Sequence, residues 1–425
     1  MRDLSVCRNE FPSLQREIFG FPVAYLDGPG GTQVPQRVID AMTRYYETSN
    51  ANTHGQFAAS RETDEVVLQA RQAMAALLGA DGPQQISFGQ NMTTLNFALA
   101  RAVSRMIQPG DEIVVTDLDH DANVAPWLTL AEHGAVIRYA PVTAEATLDM
   151  SALHALLNER TKLVAVGYAS NAVGTVNDVS RIREWTREVG ALLVVDAVHF
   201  APHGVVDVAS LDPDFLLCSA YKFFGPHVGI LYSRAGALDG LITDRVRPQS
   251  NRASEKIETG TLNHAALAGV TAAVEFIADL ADEDGGESGD DRVDEGADDI
   301  TVLRDRLVKA MQAVYDYEHT LAKQLYEGLM TLPGVQVYGP PVADSLRAPT
   351  VSFTVQGSST AVVAKHLGDA GLYVWDGNFY AVTVLERLGL GESGGLIRIG
   401  FAPYNTTNEV ERVLEQIRSL HKAHM

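Results

Sequence analysis

Between Asp111 and Arg234 the chain repeats one pattern: a short apolar run rich in β-branched residues, then turn residues, then a polar stretch with helical spacing. The runs are Glu112–Thr116, Leu163–Gly167, Leu192–Val195, Phe215–Cys218 and Val228–Tyr232, and Gln85–Phe88 precedes them. Short runs that are almost wholly apolar suit strands buried on both faces. The pattern therefore predicts a mostly parallel sheet with helices packed around it. Ser151–Asn158 and Val179–Val189 carry the helical spacing. Only Lys222–His227 joins the last two runs, too little for a crossover helix, so that pair is expected to be antiparallel or shifted.

The pattern changes after residue 280. Ala281–Asp299 is low in complexity and reads as a disordered loop. Helical periodicity resumes at Val302 and runs towards Thr331. Strand-like Gly334–Tyr338 and Thr350–Thr354 follow, then a helix at Ala361–Ala370, strands at Leu372–Trp375 and Leu396–Ala402, and a last helix from Thr407. This alternation predicts a second, smaller α+β domain. The expected division is an N-terminal segment 1–22 packing with the small domain, a large domain 23–280, an acidic insertion 281–300 and a small C-terminal domain 301–425.

Composition narrows the function classes. The 425 residues are 46% hydrophobic and 20% charged, values that allow a sizeable core. The net charge of −21 argues against nucleic acid as a partner. Ala281–Ile300 alone holds ten acidic residues against one arginine, a solvated insertion or, on the sharper reading, a salt-adapted surface. No apolar stretch reaches the roughly 18 residues of a membrane span, and Met1–Gly20 lacks a secretory pattern. Two cysteines, Cys7 and Cys218, argue against a disulfide framework and fit a reducing cytoplasm.

Polar residues follow the apolar runs with regularity. Gly89-Gln90-Asn91, Asp119-His120, Ser170-Asn171, Asp196 with His199, and Ser219 with Lys222 each stand at the carboxyl end of a run. In an open parallel sheet those ends share one edge, where ligands bind. Lys222 follows a buried strand and precedes Phe223-Phe224-Gly225-Pro226, so its stem lies in apolar surroundings. Desolvation disfavours the ammonium, which readies such a lysine to attack a carbonyl. Asp196 ends a fully apolar strand, either as a turn residue or as an anion for a cationic ring nitrogen. His120 sits among Asp117, Asp119 and Asp121, which should favour its protonated form, and it could stack on a planar ring or carry protons. His199 and His203 are four apart, but Phe200 occupies the place of a metal-protease glutamate, so no metal site is expected. Gly28-Pro29-Gly30-Gly31 reads as a tight turn, because Gln33 breaks the dinucleotide fingerprint. Arg398 lies inside the apolar strand Leu396–Gly400, where it must meet an anion: an internal partner or a ligand carboxylate.

The segment Asp214–Pro226, with Ser219-Ala220-Tyr221-Lys222, resembles the cofactor-lysine segment of class V aminotransferases, the cysteine desulfurase branch above all. The likeness runs from Ala24-Tyr25-Leu26-Asp27 through Asp119-His120-Asp121-Ala122-Asn123, Ser170-Asn171 and Val195-Asp196-Ala197. It continues with Glu258-Thr259-Gly260-Thr261 and ends at Arg398 and Tyr404-Asn405-Thr406.

The resemblance implies a PLP-dependent fold of the aspartate-aminotransferase type, α/β with a mostly parallel central sheet. It implies pyridoxal 5′-phosphate (PLP) as cofactor and a homodimer. Lys222 is then the lysine that binds the cofactor and later moves protons, Asp196 the partner of its ring nitrogen, and His120 the stacking ring. Asn171 is expected to face the ring hydroxyl, with His199 where desulfurases usually carry glutamine. Asn91, the backbone at Met92, and Ser219 are expected to cradle the phosphate, and Thr261 to reach the neighbouring subunit's phosphate. Arg398 is expected to bind the substrate's α-carboxylate, with Trp375, Asp376 and Tyr380 lining the substrate side.

Three residues depart from the desulfurase pattern. Asn91-Met92 replaces a Thr-Thr pair, Tyr221 replaces a histidine, and Tyr380 stands where the mobile loop carries its sulfur-accepting cysteine. The expected activity is therefore PLP chemistry on a small α-amino acid through an external aldimine, ending in elimination, C–S lysis, epimerisation or transamination. The alternatives are a desulfurase using an external thiol, and a PLP-loaded protein without turnover.

Overall fold

A computed structural model describes residues 3–281, 299–342, 346–391 and 394–423. The stretch expected to be a disordered loop falls almost entirely at 282–298, outside the described residues. Seven strands form the large sheet: β1 (Ile86–Gly89), β2 (Glu112–Thr116), β3 (Val136–Ala140), β4 (Thr161–Gly167), β5 (Leu192–Asp196), β6 (Phe215–Ser219) and β7 (Gly229–Ser233). Their spatial order is β1-β7-β6-β5-β4-β2-β3. All neighbours run parallel except β7, which is antiparallel to both β6 and β1. The short connection after Lys222 settles that exception, since six residues can reverse the chain but cannot carry it back across the sheet.

Hydrophobic pattern missed one strand. β3 is the outer edge, and its Val136, Arg138 and Tyr139 face solvent, so it lacks the apolar signature of the inner strands. The inner strands are buried at every position of β2, β6 and β7. The crossover helices obey local rules: Asp178 caps the helix Val179–Val189 by accepting from Arg181 N–H at 2.9 Å, and Gly190 ends it in the left-handed conformation. That helix buries Val179, Ile182 and Trp185 against the sheet side of the chain.

The second sheet contains β8 (Val335–Tyr338), β9 (Thr350–Val355), β10 (Trp375–Gly377) and β11 (Leu396–Gly400), in the order β8-β9-β11-β10. Strand period decides which face serves the site. Val351, Phe353, Ile397 and Ile399 are fully buried on one face, whereas Ser352 pairs with Arg398 and Thr350 with Gly400 on the other. The run Leu372–Trp375, expected as one strand, is split. Leu372–Tyr373 pairs with Ala24–Tyr25, and the chain then turns so that β10 joins β11. Val23–Leu26 likewise supplies only the two-residue strand Ala24–Tyr25.

The long helix Asp299–Met330 joins the two sheets' territories. Near its start Arg304 donates to the Leu77 and Val206 carbonyls, and further on Tyr317 donates to the Asn405 carbonyl at 2.6 Å. The N-terminal segment also touches both parts: Phe11 packs edge-on against Phe224, Phe276 and Tyr404, and Arg8 pairs with Glu409 at 2.9 Å.

β1 closes the other edge of the large sheet, and a buried ion pair covers it. Arg71 donates to the Ile86 carbonyl and pairs with Glu258 at 2.8 Å, while Glu258 accepts from Phe88 N–H at 2.7 Å. Glu258→Ala leaves both a buried guanidinium and a strand N–H without their partner. The expected cost is about 3–5 kcal/mol of stability, read from urea unfolding. A loss below about 1 kcal/mol would show that water replaces the carboxylate freely.

Candidate active site

The carboxyl ends of β1, β2, β4, β5 and β6 meet at one cavity. It is lined by Asn91 and Met92 after β1, Asp119 and His120 after β2, Asn171 after β4, Asp196 and His199 after β5, and Ser219 with Lys222 after β6. Every polar group predicted from the strand ends except Gln90 and Ser170 is on this wall.

Lys222 ends a single helical turn, Ala220–Lys222, with Phe223 and Phe224 buried behind it. Its Nζ donates to the Pro29 carbonyl and lies 5.0 Å from the Tyr221 ring centre. Burial, with the Arg398 charge added, brings the amine down to about 7, against the pull of Asp27 and Asp196. Asp196 is pushed up to about 7, chiefly by burial and further by Asp119, while one oxygen accepts from Val198 N–H at 2.9 Å.

His120 does not behave as expected. Its acidic neighbours do not hold it protonated; burial first, then Lys222 and Arg398, pull it down to about 4. Asp119 is turned inward, accepting from Thr116, Asn123 and Gly167 N–H at 2.7–2.9 Å. The neutral ring accepts Ala122 N–H at Nδ1, which leaves the proton on Nε2.

One end of the cavity is the N-terminus of the helix Met92–Ser104. Asn91 caps it through Thr94 N–H at 2.9 Å, and Met92 N–H donates to Ser219 Oγ at 3.0 Å. A helix N-terminus aimed at a cavity favours an anion. Opposite, Asn171 Nδ2 donates to the Phe379 carbonyl at 2.9 Å and its Oδ1 has no partner. His199 meets Thr350 Oγ1 through Nε2 at 2.9 Å and its Nδ1 has none.

Arg398 is buried, and both readings of it survive. Its guanidinium pairs with Asp27 at 2.7 Å and donates to the Asn171 carbonyl at 3.3 Å, yet Nε lacks a partner. Phe379 covers it, 4.4 Å from ring centre to guanidinium carbon. Phe379 and Tyr380 both adopt left-handed backbone, φ 55° and 57°. Such residues cost about 1–3 kcal/mol each and need outside support. Asn171 holds the Phe379 carbonyl, and Asp121 N–H holds that of Tyr380 at 2.7 Å.

The remaining expected residues do not line this cavity. Tyr380 is exposed and its ring stacks on His120 at 5.5 Å. Trp375 pairs with Arg398 across the sheet and so shares its face. Asp376, expected on the substrate side, pairs with Ile397 and takes the opposite face. Thr261 is exposed on a separate groove with Asn52, His54 and Arg252. Among the described residues no group of three or more His, Cys, Asp or Glu could hold a metal, and no helix is long and apolar enough to cross a membrane.

Sequence reasoning missed Asp27, Pro29 and Thr350 as site members, and met Tyr221 only as a departure from the family pattern beside the lysine. Gly30 leaves the room that Asp27 needs, since a Cβ there would lie 2.0 Å from the Asp27 carboxylate.

A near-neutral lysine, a buried carboxylate, a flat cavity between them and a helix N-terminus define a PLP enzyme of the aspartate-aminotransferase-like fold. The unpartnered Asn171 Oδ1 and His199 Nδ1 fit a polar ring substituent, so the residues present suit that cofactor. The chain belongs to the class V aminotransferase family, whose model matches residues 24–286 and 307–413. Enzymes of this family use PLP.

Its relatives include a probable cysteine desulfurase of Mycolicibacterium paratuberculosis, 31% identical over 98% of this chain; the chain spans 58% of that protein's length. A cysteine desulfurase of Serratia proteamaculans is 29% identical over 98% of this chain and 97% of its own. Among solved structures, the apo cysteine desulfurase of Thermococcus onnurineus NA1 superimposes with a TM-score of 0.84 at 28% identity, covering 100% of this chain and 99% of its own. The cysteine desulfurase CsdA of Escherichia coli gives 0.82 at 26%, with the same coverage.

Two predictions follow from this geometry. Capture of PLP by apoprotein needs the neutral Lys222 amine, which predominates above about 7. Stopped-flow absorbance should show a capture rate that falls about tenfold per pH unit below about 7 and levels above it; a flat profile overturns the assignment. Gly229→Ala places a Cβ 2.2 Å from the Asn91 carbonyl carbon, at the start of the helix Met92–Ser104. Its PLP dissociation constant, read by dialysis, should rise by about tenfold or more.

Proposed function

We propose that this enzyme cleaves the carbon–sulfur bond of a small sulfur-bearing α-amino acid, with L-cysteine the first candidate, and that no cysteine of the chain receives the sulfur. The relatives' names supply the amino acid. One observation supports the second half: neither cysteine lines the cavity. Cys218 is fully buried in β6, and Cys7 is buried in the N-terminal segment with its thiol pushed up to about 12 by burial. By the family likeness we set Tyr380 at the loop position of the sulfur acceptor, and its ring is on His120.

Bound PLP supplies an electron sink for the carbon bearing the substrate's amine. The roles of the chain's own residues are proposed as follows. Asp196 pairs with the ring nitrogen, an arrangement that repays the cost of its burial. His120 stacks as a neutral ring. Asn91, Met92 N–H and Ser219 hold the phosphate at the helix N-terminus. Arg398 takes the substrate's carboxylate, and Asp27 pairs with its guanidinium at 2.7 Å. Lys222, poised near neutrality, takes the proton from the α-carbon. The thiolate then leaves the β-carbon as elimination. Thr261, exposed on its groove, is proposed to reach the phosphate of a second subunit in a homodimer.

A second reading, desulfuration to an external thiol, rests on the same relatives. Product analysis separates the two. With L-cysteine and water, elimination gives pyruvate, ammonia and sulfide, whereas desulfuration gives alanine and the persulfide of the added thiol, in proportion to that thiol. Pyruvate that is indifferent to thiol supports the proposal; alanine rising with thiol replaces it with the second reading. Lys222→Ala should lower turnover by about 10²–10⁴-fold, and retained turnover removes Lys222 from the chemistry. Racemised substrate or a keto acid without sulfide would point to epimerisation or transamination instead.

A further inference from the structure

Behind His199 lies a row of buried polar groups that the reaction above does not use. His203, one turn further along the same segment, is 2% exposed and Glu318, on the long helix Asp299–Met330, is 1% exposed. His203 Nδ1 meets Glu318 Oε2 at 2.8 Å. The His203 ring packs edge-on to His199, with centres 5.3 Å apart and planes at 76°. Three atoms along this row lack a hydrogen-bond partner: Glu318 Oε1, His203 Nε2 and His199 Nδ1. Buried polar atoms are rarely left unmatched, and each such atom calls for an explanation. Only His199 lines the cavity.

We propose that His203 and Glu318 are positioning residues for His199, holding its ring so that Nδ1 meets the ring hydroxyl of bound PLP. Three contacts fix that ring. Thr350 takes Nε2, His203 packs against the ring, and Glu318 anchors His203 from the other side. Nδ1 is what remains for a ligand. The Asn171 amide nitrogen gives one of its two hydrogens to the Phe379 carbonyl, while its unpartnered Oδ1 can only accept, so Oδ1 and His199 Nδ1 offer a ring hydroxyl one acceptor and one donor. Thr350 Oγ can donate to Nε2, which places the His199 proton on Nδ1. Burial, followed by His203, Arg398, Lys222 and His120, holds His199 well below the ordinary histidine range, so the ring stays neutral and keeps one proton to direct. Outer partners that orient a histidine in this way fix its tautomer.

The test reads the visible absorption band of the PLP-loaded protein, which also reports whether the cofactor is bound. His203→Asn and Glu318→Gln are each made in the wild-type chain and in a His199→Gln background. Weakening the donor to the ring oxygen lets the cofactor hold its shared proton more tightly. The pH midpoint of the band should therefore rise, by about threefold in proton affinity or more, in the wild-type chain only. A midpoint that stays or falls, or an equal rise without His199, overturns the proposal. A second measurement needs no variant. In protein with ¹⁵N-labelled histidine, the His199 Nδ1 resonance should move on PLP loading and keep the shift of a protonated nitrogen in a neutral ring. An unmoved resonance, or a doubly protonated ring, overturns it equally.

Discussion

The amine of Lys222 is held out of water at the carboxyl edge of the large sheet, between the anions Asp196 and Asp27 and the cation Arg398. Low polarity there makes every charge depend on its neighbours. Burial pushes the amine towards neutrality and the Asp196 carboxyl towards protonation. Each therefore sits close to the state in which a proton can be moved at modest cost. Arg398 sharpens the effect on the lysine, and Asp27 keeps Arg398 from standing as an unpaired buried cation. Removing any one of the four changes the protonation balance of the rest, so the constellation acts as a unit.

That unit is assembled from residues of both sheets. The large sheet contributes the ends of five strands, all pointing one way because crossover helices return the chain to the same side. The small sheet contributes alternate positions of two strands, Thr350 and Arg398. The same alternation buries Val351, Phe353, Ile397 and Ile399 on its far face. A one-residue slip of β9 against β11 would exchange the two sets. Packing of the small core and polarity of the active site are thus fixed by one register.

Much of the large domain was legible because buried parallel strands write themselves as unbroken apolar runs. The residue following each run could then be assigned to an edge without knowing any contact. β3 was not legible, because an exposed edge strand carries Arg138 and Tyr139 where inner strands carry valine and leucine. Asp27 and Thr350 escaped for a different reason. Each gains its role from a partner far away in the chain, Arg398 or His199, and no local pattern encodes that meeting. His120 shows the opposite failure: sequence neighbours suggested a cation, but Asp119 faces inward to Thr116, Asn123 and Gly167. Adjacency in sequence carried the sign of the charge but not its direction.

The loop over Arg398 is where family likeness and local structure pull apart. The relatives are named for cysteine desulfuration, a chemistry that needs a sulfur acceptor. In this chain the loop is held by its backbone instead of presenting a thiol: Asn171 grips the Phe379 carbonyl and Asp121 N–H the Tyr380 carbonyl. Two consecutive left-handed residues would relax if those bonds were lost, since nothing in phenylalanine or tyrosine favours that conformation. Phe379 meanwhile lies on the guanidinium expected to take the substrate's carboxylate. The loop is therefore tied to Arg398 through the Phe379 ring and to the cavity wall through Asn171. The ring it lays on His120 is that of the exposed Tyr380. Neither Cys7 nor Cys218 lines the cavity, and both are buried, so the chain offers no thiol at that wall.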